Sequence, residues 1–258
     1  MMEEYKFLSA KCITYGRVNF LEEAIQSFLQ QDYPSDKCEM IIVNDYPLQT
    51  LIFDHPQIRI FNLKETFTTI GAKENFATEQ CRGEVILQWD DDDIALPNHL
   101  KNVNKYFTEG TCILQWHRGI FFSDMAIKAI TGIGNAGYVY SKDAWNKSGR
   151  YAEENAGHDM TFVMNLRTLY PNYFVSAAPS DEEASFIYMW GGRGYHLSGQ
   201  GTDVPGRPNV IQRHSAHIEF ERAMGRIPTG EINLHPHWED NYSHLLKEHV
   251  RKNTSLHS

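Results

Sequence analysis

The chain has 258 residues, which suits one large α/β domain and is too short for two full-sized domains with linkers. Its formal net charge is -9, and Lys and Arg never form a run longer than a pair. This charge argues against a nucleic-acid partner and against binding to an anionic membrane surface. At 41% hydrophobic and 22% charged residues, the composition is that of an ordinary globular protein with a sizeable core.

The cysteines and the N-terminal sequence limit the setting in which the protein works. The four cysteines are far apart and form no CxxC pair, which argues against a disulfide framework or a zinc knuckle. The N-terminus MMEEYKFLSAKC lacks the apolar run of a secretory signal, and no stretch approaches the ~20 apolar residues needed to cross a bilayer. We therefore expect a cytoplasmic protein without a transmembrane segment. If it acts at a membrane, it does so as a peripheral protein at the inner face.

Strands and helices alternate along the first half of the sequence. Apolar runs predict strands over Lys6–Tyr15, Glu39–Val43, Ile58–Phe61 and Val85–Trp89. A helix is predicted from Asn19, with Asn19 and Glu22 as a capping box, and a second helix over Gly71–Cys81. Because several strands are apolar on both faces, the pattern indicates an α/β fold with a mostly parallel central sheet flanked by helices.

The second half of the sequence is less regular. Strands are predicted over Cys112–Trp116 and Tyr138–Ser141, and a helix over His158–Tyr170. Residues 191–206 are rich in glycine, which is typical of a mobile loop. Two amphipathic stretches follow at the end of the chain, over Ile211–Met224 and Glu239–Arg251.

Carboxylates follow two of the predicted parallel strands. These are Asp45 and the run Asp90–Asp93, and the carboxyl ends of parallel strands form the ligand-binding edge of an open α/β sheet. Consecutive carboxylates repel each other unless a cation joins them, and their oxygens suit Mg²⁺ or Mn²⁺. With strand-like alternation, Asp90 and Asp92 would face one ligand and Asp91 would face away. The alternative is a solvated acidic turn that caps a helix beginning near Pro97.

Motifs in a fixed order carry a resemblance to a known family. Over roughly residues 5–100 the chain contains ITYGR, FLEEAIQSFLQQDYP, IIVND, GAKENFA and RGEVILQWDDDD. In this order they resemble the family 2 glycosyltransferases of the GT-A fold. The later segment GYVYSKDAWNKSGRYAEENAGHDM is similar to the family's acceptor-side segment, which ends in an acidic catalytic pair. The resemblance implies one GT-A domain over 1–258, with a nucleotide-sugar-binding half (1–110), an acceptor-binding half (111–210) and a C-terminal helical extension (211–258).

The resemblance also implies roles on the donor side. The nucleotide-sugar-binding residues would be Thr14, Arg17, Asp45, Lys73, Asp90 and Asp91. Asp45 would accept a hydrogen bond from a pyrimidine base, and Asp90 would contact the ribose. Asp92 would ligate a Mn²⁺ or Mg²⁺ ion that bridges the diphosphate and stabilises charge on the leaving group. Tyr46 and Pro47 depart from the family, which usually has Gly-Ser after this first aspartate.

On the acceptor side, the resemblance assigns Asp159 as the base that takes the proton of the acceptor hydroxyl. His158 stands where the family usually has glutamate. Both residues also have a plain reading as members of a first helical turn. His196 in MWGGRGYHLSG would be a further metal ligand on a loop that closes over the donor, or simply an exposed histidine. Arg193 of the same loop could contact phosphate.

Other residues of the second half stay open to two readings. The aromatic side chains could stack on sugar faces or belong to the core; those considered are Trp145, Trp190 and Tyr195. The histidines of HPHW, His235 and His237, are two apart as in some metal sites. With no third ligand in evidence, a surface turn is the better interpretation.

These features predict an inverting, metal-dependent transfer of a single sugar from a nucleotide diphosphate sugar, foremost a UDP-sugar. The acceptor would be a hydroxyl of a saccharide or lipid-linked molecule, as in cell-surface polysaccharide assembly. The QxxRW motif of processive synthases is absent from the sequence. One alternative is a sugar nucleotidyltransferase. That class has a glycine-rich loop with Arg and Lys after its first strand, and the segment TYGRVNF at this position does not match such a loop. Another is a non-catalytic nucleotide-sugar-binding protein on the same scaffold.

Overall fold

A computed structural model describes residues 4–155, 157–190 and 210–255. The first half contains β1 (Leu8–Thr14), α1 (Val18–Leu29), β2 (Cys38–Asn44), β3 (Gln49–Ile52), β4 (Ile58–Asn62), α2 (Ile70–Gln80), β5 (Val85–Gln88), β6 (Ile94–Ala95) and α3 (His99–Tyr106). The second half contains β7 (Ile113–Trp116), β8 (Gly119–Ser123), β9 (Ala126–Thr131), β10 (Val139–Ser141), α4 (Lys142–Lys147), α5 (His158–Leu169), β11 (Phe174–Ala177), β12 (Phe186–Met189), α6 (Val210–Ala223), β13 (Gly230–Asn233) and α7 (Tyr242–Ser255).

The central sheet has seven strands in the order β11-β7-β10-β5-β1-β2-β4. The four consecutive strands β5, β1, β2 and β4, which reach one edge of the sheet, are parallel, while β10 is antiparallel to both of its neighbours. The chain proceeds from β1 outward to β2 and β4, then returns to the other side of β1 for β5. Strand order therefore reverses between β1 and β5, and a crevice at such a reversal is where ligands bind in open α/β sheets.

Both faces of this sheet are covered, as the apolar strands predict. Every residue of β2 (CEMIIVN) is buried. Ile42 faces a cluster that includes Ile25 and Phe28 of α1. Ile41 faces the opposite cluster, which includes Ala77 of α2 and Phe162 of α5. This alternation of two apolar faces confirms the expected α/β class with a mostly parallel central sheet between helices.

Two smaller sheets complete the described part of the fold. Strands β6, β12, β8 and β9 form a four-stranded sheet, and α7 packs against it through Tyr242 and Leu246. Strand β13 pairs in parallel with β3, which brings the C-terminal part of the chain back to the first half. No helix among the described residues has both the length and the apolar character needed to cross a membrane.

One local prediction is wrong, and one residue that was open to two readings belongs to the core. Helix α1 begins at Val18, after Arg17, and shows no side-chain cap, so Asn19 and Glu22 do not form a capping box. Glu22 instead accepts a hydrogen bond from the His235 backbone N–H at 2.7 Å, because its side chain holds the C-terminal segment against α1. Trp145 is 1% exposed, and its indole N–H donates to Asn75 at 3.1 Å. It therefore belongs to the core and is not a sugar-stacking surface.

Candidate functional site

Asp45 and Lys73 form a buried ion pair beside the carboxyl ends of β1 and β2. Lys73, in the first turn of α2, donates to Asp45 Oδ1 and to the Thr14 carbonyl, the latter at 2.7 Å. The Phe67 backbone N–H donates to Asp45 Oδ2 at 3.0 Å. Each carboxylate oxygen of Asp45 thus accepts one hydrogen bond and retains a lone pair for a ligand. The structure brings Thr14, Asp45 and Lys73 together.

The N-terminus of α2 is fixed to the loop that precedes α5. Asn155 accepts a hydrogen bond from the Ile70 backbone N–H at 3.0 Å. Gly71 lies against the same loop so closely that a Cβ there would stand 1.8 Å from the Ala152 carbonyl oxygen. The glycine is required by this close approach. The helix that carries Lys73 and the helix that carries Asp159 are consequently held in one arrangement.

Arg17 connects the end of β1 to the acidic run. Its Nε donates to Asp91 Oδ2 at 3.0 Å, and a second nitrogen completes a bidentate contact with Asp91. The third nitrogen donates to Asp92 Oδ2 at 2.8 Å. Asp91 and Asp92 therefore share one guanidinium, and the prediction that Asp91 faces away from Asp92 is wrong. The reason is that β5 ends at Gln88 and residues 90–93 form a turn, so strand alternation does not apply.

The other two carboxyl groups of the run have different partners. Gln88 donates to Asp90 Oδ1 at 2.7 Å. The Met189 backbone N–H donates to Asp93 Oδ1 at 2.8 Å, which ties the run to the end of β12. Asp90 retains partial solvent contact, whereas Asp91 to Asp93 are buried. Asp93 therefore fixes the acidic run to β12.

The acidic run carries more negative charge than its surroundings offset. Burial and the neighbouring Asp92 raise the pKa of Asp90 to about 7. Burial also raises the pKa of Asp91, against the opposing effect of Arg17, and raises that of Asp93 well above its usual range. Burial alone would lower the pKa of Arg17, but Asp91 and Asp92 outweigh it and raise that pKa. Arg17 brings one positive charge to four carboxyl groups, and their mutual repulsion remains.

Behind Asp90 lies a buried polar network that the sequence analysis missed. The Gln88 amide also donates to Glu74 at 3.1 Å, and Glu74 forms a 2.5 Å ion pair with Lys11. Lys11 and Glu74 side chains are 0% and 3% exposed. Burial acts to lower the pKa of Lys11, and Glu74 outweighs it, so the pKa is raised. The available signal was a lysine and a glutamine inside the apolar strands KFLSAKCITY and VILQW.

Asp159 lies near Tyr138, a residue beside the carboxyl end of β5. The Tyr138 carbonyl accepts a hydrogen bond from the Gln88 backbone N–H at 2.9 Å, so Tyr138 stands at the carboxyl end of β5. Burial raises the pKa of Tyr138 well above its usual range, with smaller contributions from other charges that include Asp159. Asp159 is half-buried in the first turn of α5, which starts after Gly157 in a left-handed conformation (φ 75°). His158 is also half-buried, and its Nδ1 has no hydrogen-bond partner among the described residues.

The C-terminal segment packs against the end of β2. Tyr46 is buried with Ile218 of α6 and Ile227, and its ring meets that of Tyr15 edge to face at 4.9 Å. The bulk of Tyr46 is thus accommodated where the family usually has Gly-Ser. The part of the candidate site beside Tyr46 therefore includes residues that are distant in the sequence.

Several expected site residues lie elsewhere or outside the described part of the chain. His196, Arg193, Tyr195 and the glycine-rich loop fall within residues 191–209, which are outside it. His235 and His237 interact with each other and with Glu22, as a surface turn does. Over the described ranges, no group of three or more His, Cys, Asp or Glu side chains is arranged to hold a metal ion.

The reversal of strand order, with carboxylates at the ends of β2 and β5, defines an open α/β protein whose ligand crevice lies at this edge of the sheet. The sequence model described as Glycosyl transferase family 2 matches residues 12–162, and the chain belongs to this family. A search of curated proteins found no significant match.

Solved structures share the fold. TarS 1-349 of S. aureus, in complex with UDP-GlcNAc, aligns with a TM-score of 0.57 and 17% identity over 74% of this chain and 60% of that chain. The mannosyltransferase PcManGT from Pyrobaculum calidifontis, in complex with GDP-Man and Mn²⁺, aligns with a TM-score of 0.56 and 12% identity over 86% of this chain and 72% of that chain. The alignment thus spans about 60% of the length of TarS 1-349. At these identities the likeness concerns the fold.

Proposed function

We propose that the chain transfers a single sugar from a nucleotide diphosphate sugar to a hydroxyl group of a saccharide or lipid-linked acceptor, with inversion at the anomeric carbon. The observation that carries the proposal is the convergence of two charged clusters on one sheet edge. The Asp45–Lys73 pair lies at the ends of β1 and β2, and the Arg17-bound acidic run follows β5. Membership of glycosyl transferase family 2 supports this reading.

On the donor side, we assign binding of the nucleotide's base to Asp45 and binding of its phosphates to the acidic run. The remaining lone pairs of Asp45 suit the N–H of a uracil ring, which favours a UDP-sugar. Lys73 fixes the Asp45 carboxylate, and Thr14 and Arg17 line the pocket at the end of β1. Among proteins of this fold, TarS 1-349 binds UDP-GlcNAc and PcManGT binds GDP-Man. We therefore propose that the transferred sugar is a hexosyl or N-acetylhexosaminyl group.

A divalent cation, Mn²⁺ or Mg²⁺, fits the residues of the acidic run. Burial first, and then the neighbouring Asp92, raise the pKa of Asp90, and a bound cation would favour its ionised form. Mg²⁺ and Mn²⁺ need few protein ligands because water and substrate phosphates supply the others. We assign Asp92 as the ligand from the described residues, with His196 as a second candidate outside them. When bound, the ion would stabilise the charge of the departing nucleoside diphosphate.

Asp159 is the proposed general base. The acceptor oxygen forms a bond to the anomeric carbon while the bond from that carbon to the diphosphate oxygen breaks, and the acceptor proton passes to the Asp159 carboxylate. Attack from the face opposite the leaving group inverts the anomeric configuration. The loop that joins α2 to α5 through Asn155 and Ala152 holds this base relative to the donor residues.

We further propose that residues 1–258 work as one domain in the cytoplasm, with peripheral contact to a membrane when the acceptor is lipid-linked. Cell-surface polysaccharide assembly is the proposed context.

Calorimetry with UDP, in the presence and absence of Mn²⁺, tests the proposal. We expect UDP to bind with Mn²⁺ and to bind much more weakly without it. An Asp92→Asn variant should lose the Mn²⁺ dependence, and Asp32→Asn, an exposed carboxylate paired with Lys101, is the matched control. Binding that is absent, or that ignores Mn²⁺, would contradict the transferase proposal. Slow hydrolysis of UDP-, GDP- and dTDP-sugars then identifies the donor.

A further inference from the structure

Three aromatic rings lie side by side on one face of the four-stranded sheet. Tyr188 of β12 pairs in register with Phe121 of β8, and their ring centroids are 6.1 Å apart. Trp190 follows β12 and lies 5.8 Å from Phe121 and 5.7 Å from Tyr188. All three side chains are partly exposed. We call Phe121, Tyr188 and Trp190 the aromatic platform.

The platform is not the face by which this sheet joins the core around α7. The alternate residues of the same strands face the other way and are buried there with Tyr242 and Leu246; these residues are Ile120, Phe122, Ile187 and Met189. On the platform's own face, Phe186 of β12 is buried in the central core and Tyr188 packs against that core, so the exposed aromatic area is the part of Phe121, Tyr188 and Trp190 that lies beyond this contact. Partly exposed aromatic rings that lie together are typical of a ligand-binding surface.

The platform is continuous with the candidate donor site. Met189, between Tyr188 and Trp190, donates its backbone N–H to Asp93 Oδ1 at 2.8 Å. Ile187 pairs with Ile94, the residue after the acidic run. The Trp190 backbone N–H donates to the Phe122 carbonyl at 2.8 Å, which fixes the end of the strand. A molecule on the platform would consequently lie beside the residues assigned to the donor.

Among the described residues, the charges near the platform favour an uncharged occupant. Arg118, which precedes β8, is paired with Asp181. Lys128 of β9 is paired with Asp124 at 3.3 Å. These basic side chains already have carboxylate partners, so they offer little to a phosphate-rich polymer. A neutral pyranose ring has one apolar C–H face that matches an aromatic ring.

We propose that the aromatic platform binds the acceptor, and that the acceptor is a saccharide that lays the apolar face of a pyranose ring on Trp190 and its neighbours. This inference rests on the proposed glycosyl transfer and specifies its acceptor class. The proposal favours a saccharide over a phosphate-rich polymer as the acceptor.

Saturation-transfer NMR with maltotriose, cellotriose and chitotriose tests the platform directly. We expect at least one trisaccharide to receive saturation from the protein, and Trp190→Leu to raise its Kd by about tenfold. Phe121→Leu, on a different strand, should act in the same direction. Trp190→Phe keeps a ring and should retain most of the binding. Phe220→Leu, at a ring 54% exposed on α6, is the matched control, with a change within a factor of about two.

Three results would overturn the inference. They are the absence of binding by all three trisaccharides, equal Kd values for Trp190→Leu and Phe220→Leu, and Trp190-dependent binding of sn-glycerol 3-phosphate instead of a saccharide. Melting temperatures by circular dichroism identify variants that fail to fold, in which case Phe121→Leu decides. Calorimetry of the unsubstituted protein with UDP and Mn²⁺ separates the two proposals. Its failure contradicts glycosyl transfer, whereas a lack of trisaccharide binding contradicts the platform alone.

Discussion

Lys73 reaches from the first turn of α2 to Asp45 at the end of β2, and the same ammonium group binds the Thr14 carbonyl at 2.7 Å. One buried cation therefore joins a helix to the ends of two neighbouring strands. The pair has a structural role beside the binding role that we propose, and substitution can separate the two because a buried ion pair is costly to break on one side only.

Lys73→Met should destabilise the fold by about 3–5 kcal/mol, because it leaves the Asp45 carboxylate buried without its cation. Urea unfolding measures the loss. The double variant Lys73→Met/Asp45→Asn should recover part of the stability but not the UDP affinity. Lys101→Met, which breaks the exposed pair with Asp32, is the control and should change stability far less. Equal effects of Lys73→Met and Lys101→Met would contradict the structural role.

Asp159→Asn should retain UDP binding and reduce sugar transfer by about 10²–10⁴-fold, since the amide cannot accept the acceptor proton. Transfer rates with a competent donor and acceptor measure this effect, and calorimetry measures nucleotide affinity. Glu153→Gln, an exposed carboxylate on the preceding loop, should transfer at the normal rate. Unchanged turnover in Asp159→Asn would remove this residue as the base.

Gly71→Ala should separate α2 from the loop before α5, because the added methyl group would overlap the Ala152 carbonyl oxygen. Overpacking of this kind costs about 1–3 kcal/mol. We expect kcat to fall more than donor affinity, since Asp159 is displaced while Lys73 of α2 stays paired with Asp45 at the end of β2. Gly132→Ala is the matched control, since its added carbon would make only an ordinary 3.7 Å contact with the His117 carbonyl. A normal kcat in a stably folded Gly71→Ala protein would refute the coupling.

His99 should make the fold sensitive to acid. Burial lowers its pKa from 6.5 to about 3, and its ring packs against Trp89, Trp116 and Phe186. The unfolded chain binds a proton below pH ~6.5, whereas the native ring stays neutral until about pH 3. The contribution of neutral, buried His99 to the free energy of unfolding is therefore fully present above pH ~6.5. It is lost as the pH falls toward 3, by on the order of 5 kcal/mol in total.

Urea midpoints measured between pH 7 and pH 4 check the acid sensitivity. In His99→Gln this histidine contribution is absent, so the midpoint should depend less on pH over that range. The substitution also alters the contact with Ser185, so the slope against pH is compared and not the stability at one pH. Parallel slopes for the two proteins would show that His99 is not responsible.

The first half of the fold was predictable because its strands are apolar along their whole length. β2 is buried at every residue and β5 at every residue, so both were found within one or two positions. The strands that were missed are β3, β6, β8, β9, β11, β12 and β13. β9 has a largely exposed pattern, and β13 exists only through its pairing with β3, far away in the sequence.

The candidate site was predictable in its members and less so in its contacts. The motif order singled out Arg17 and the acidic run, but the sharing of one guanidinium by Asp91 and Asp92 depends on the turn at residues 90–93. Glu22 illustrates the same limit, because its partner is the backbone of His235. Contacts of this kind depend on tertiary packing, which a local pattern does not encode.

The Lys11–Glu74 pair constrains how this sequence can diverge. An apolar replacement of Lys11 alone would strand the Glu74 carboxylate in the core, and loss of Glu74 alone would strand the ammonium group. Since the Gln88 amide donates to both Glu74 and Asp90, a substitution at either position alone would also weaken the positioning of Asp90 in the proposed donor site. In relatives that keep the acidic run, we therefore expect the residues at positions 11 and 74 to change together. Covariation of these two positions among relatives would reflect this buried contact.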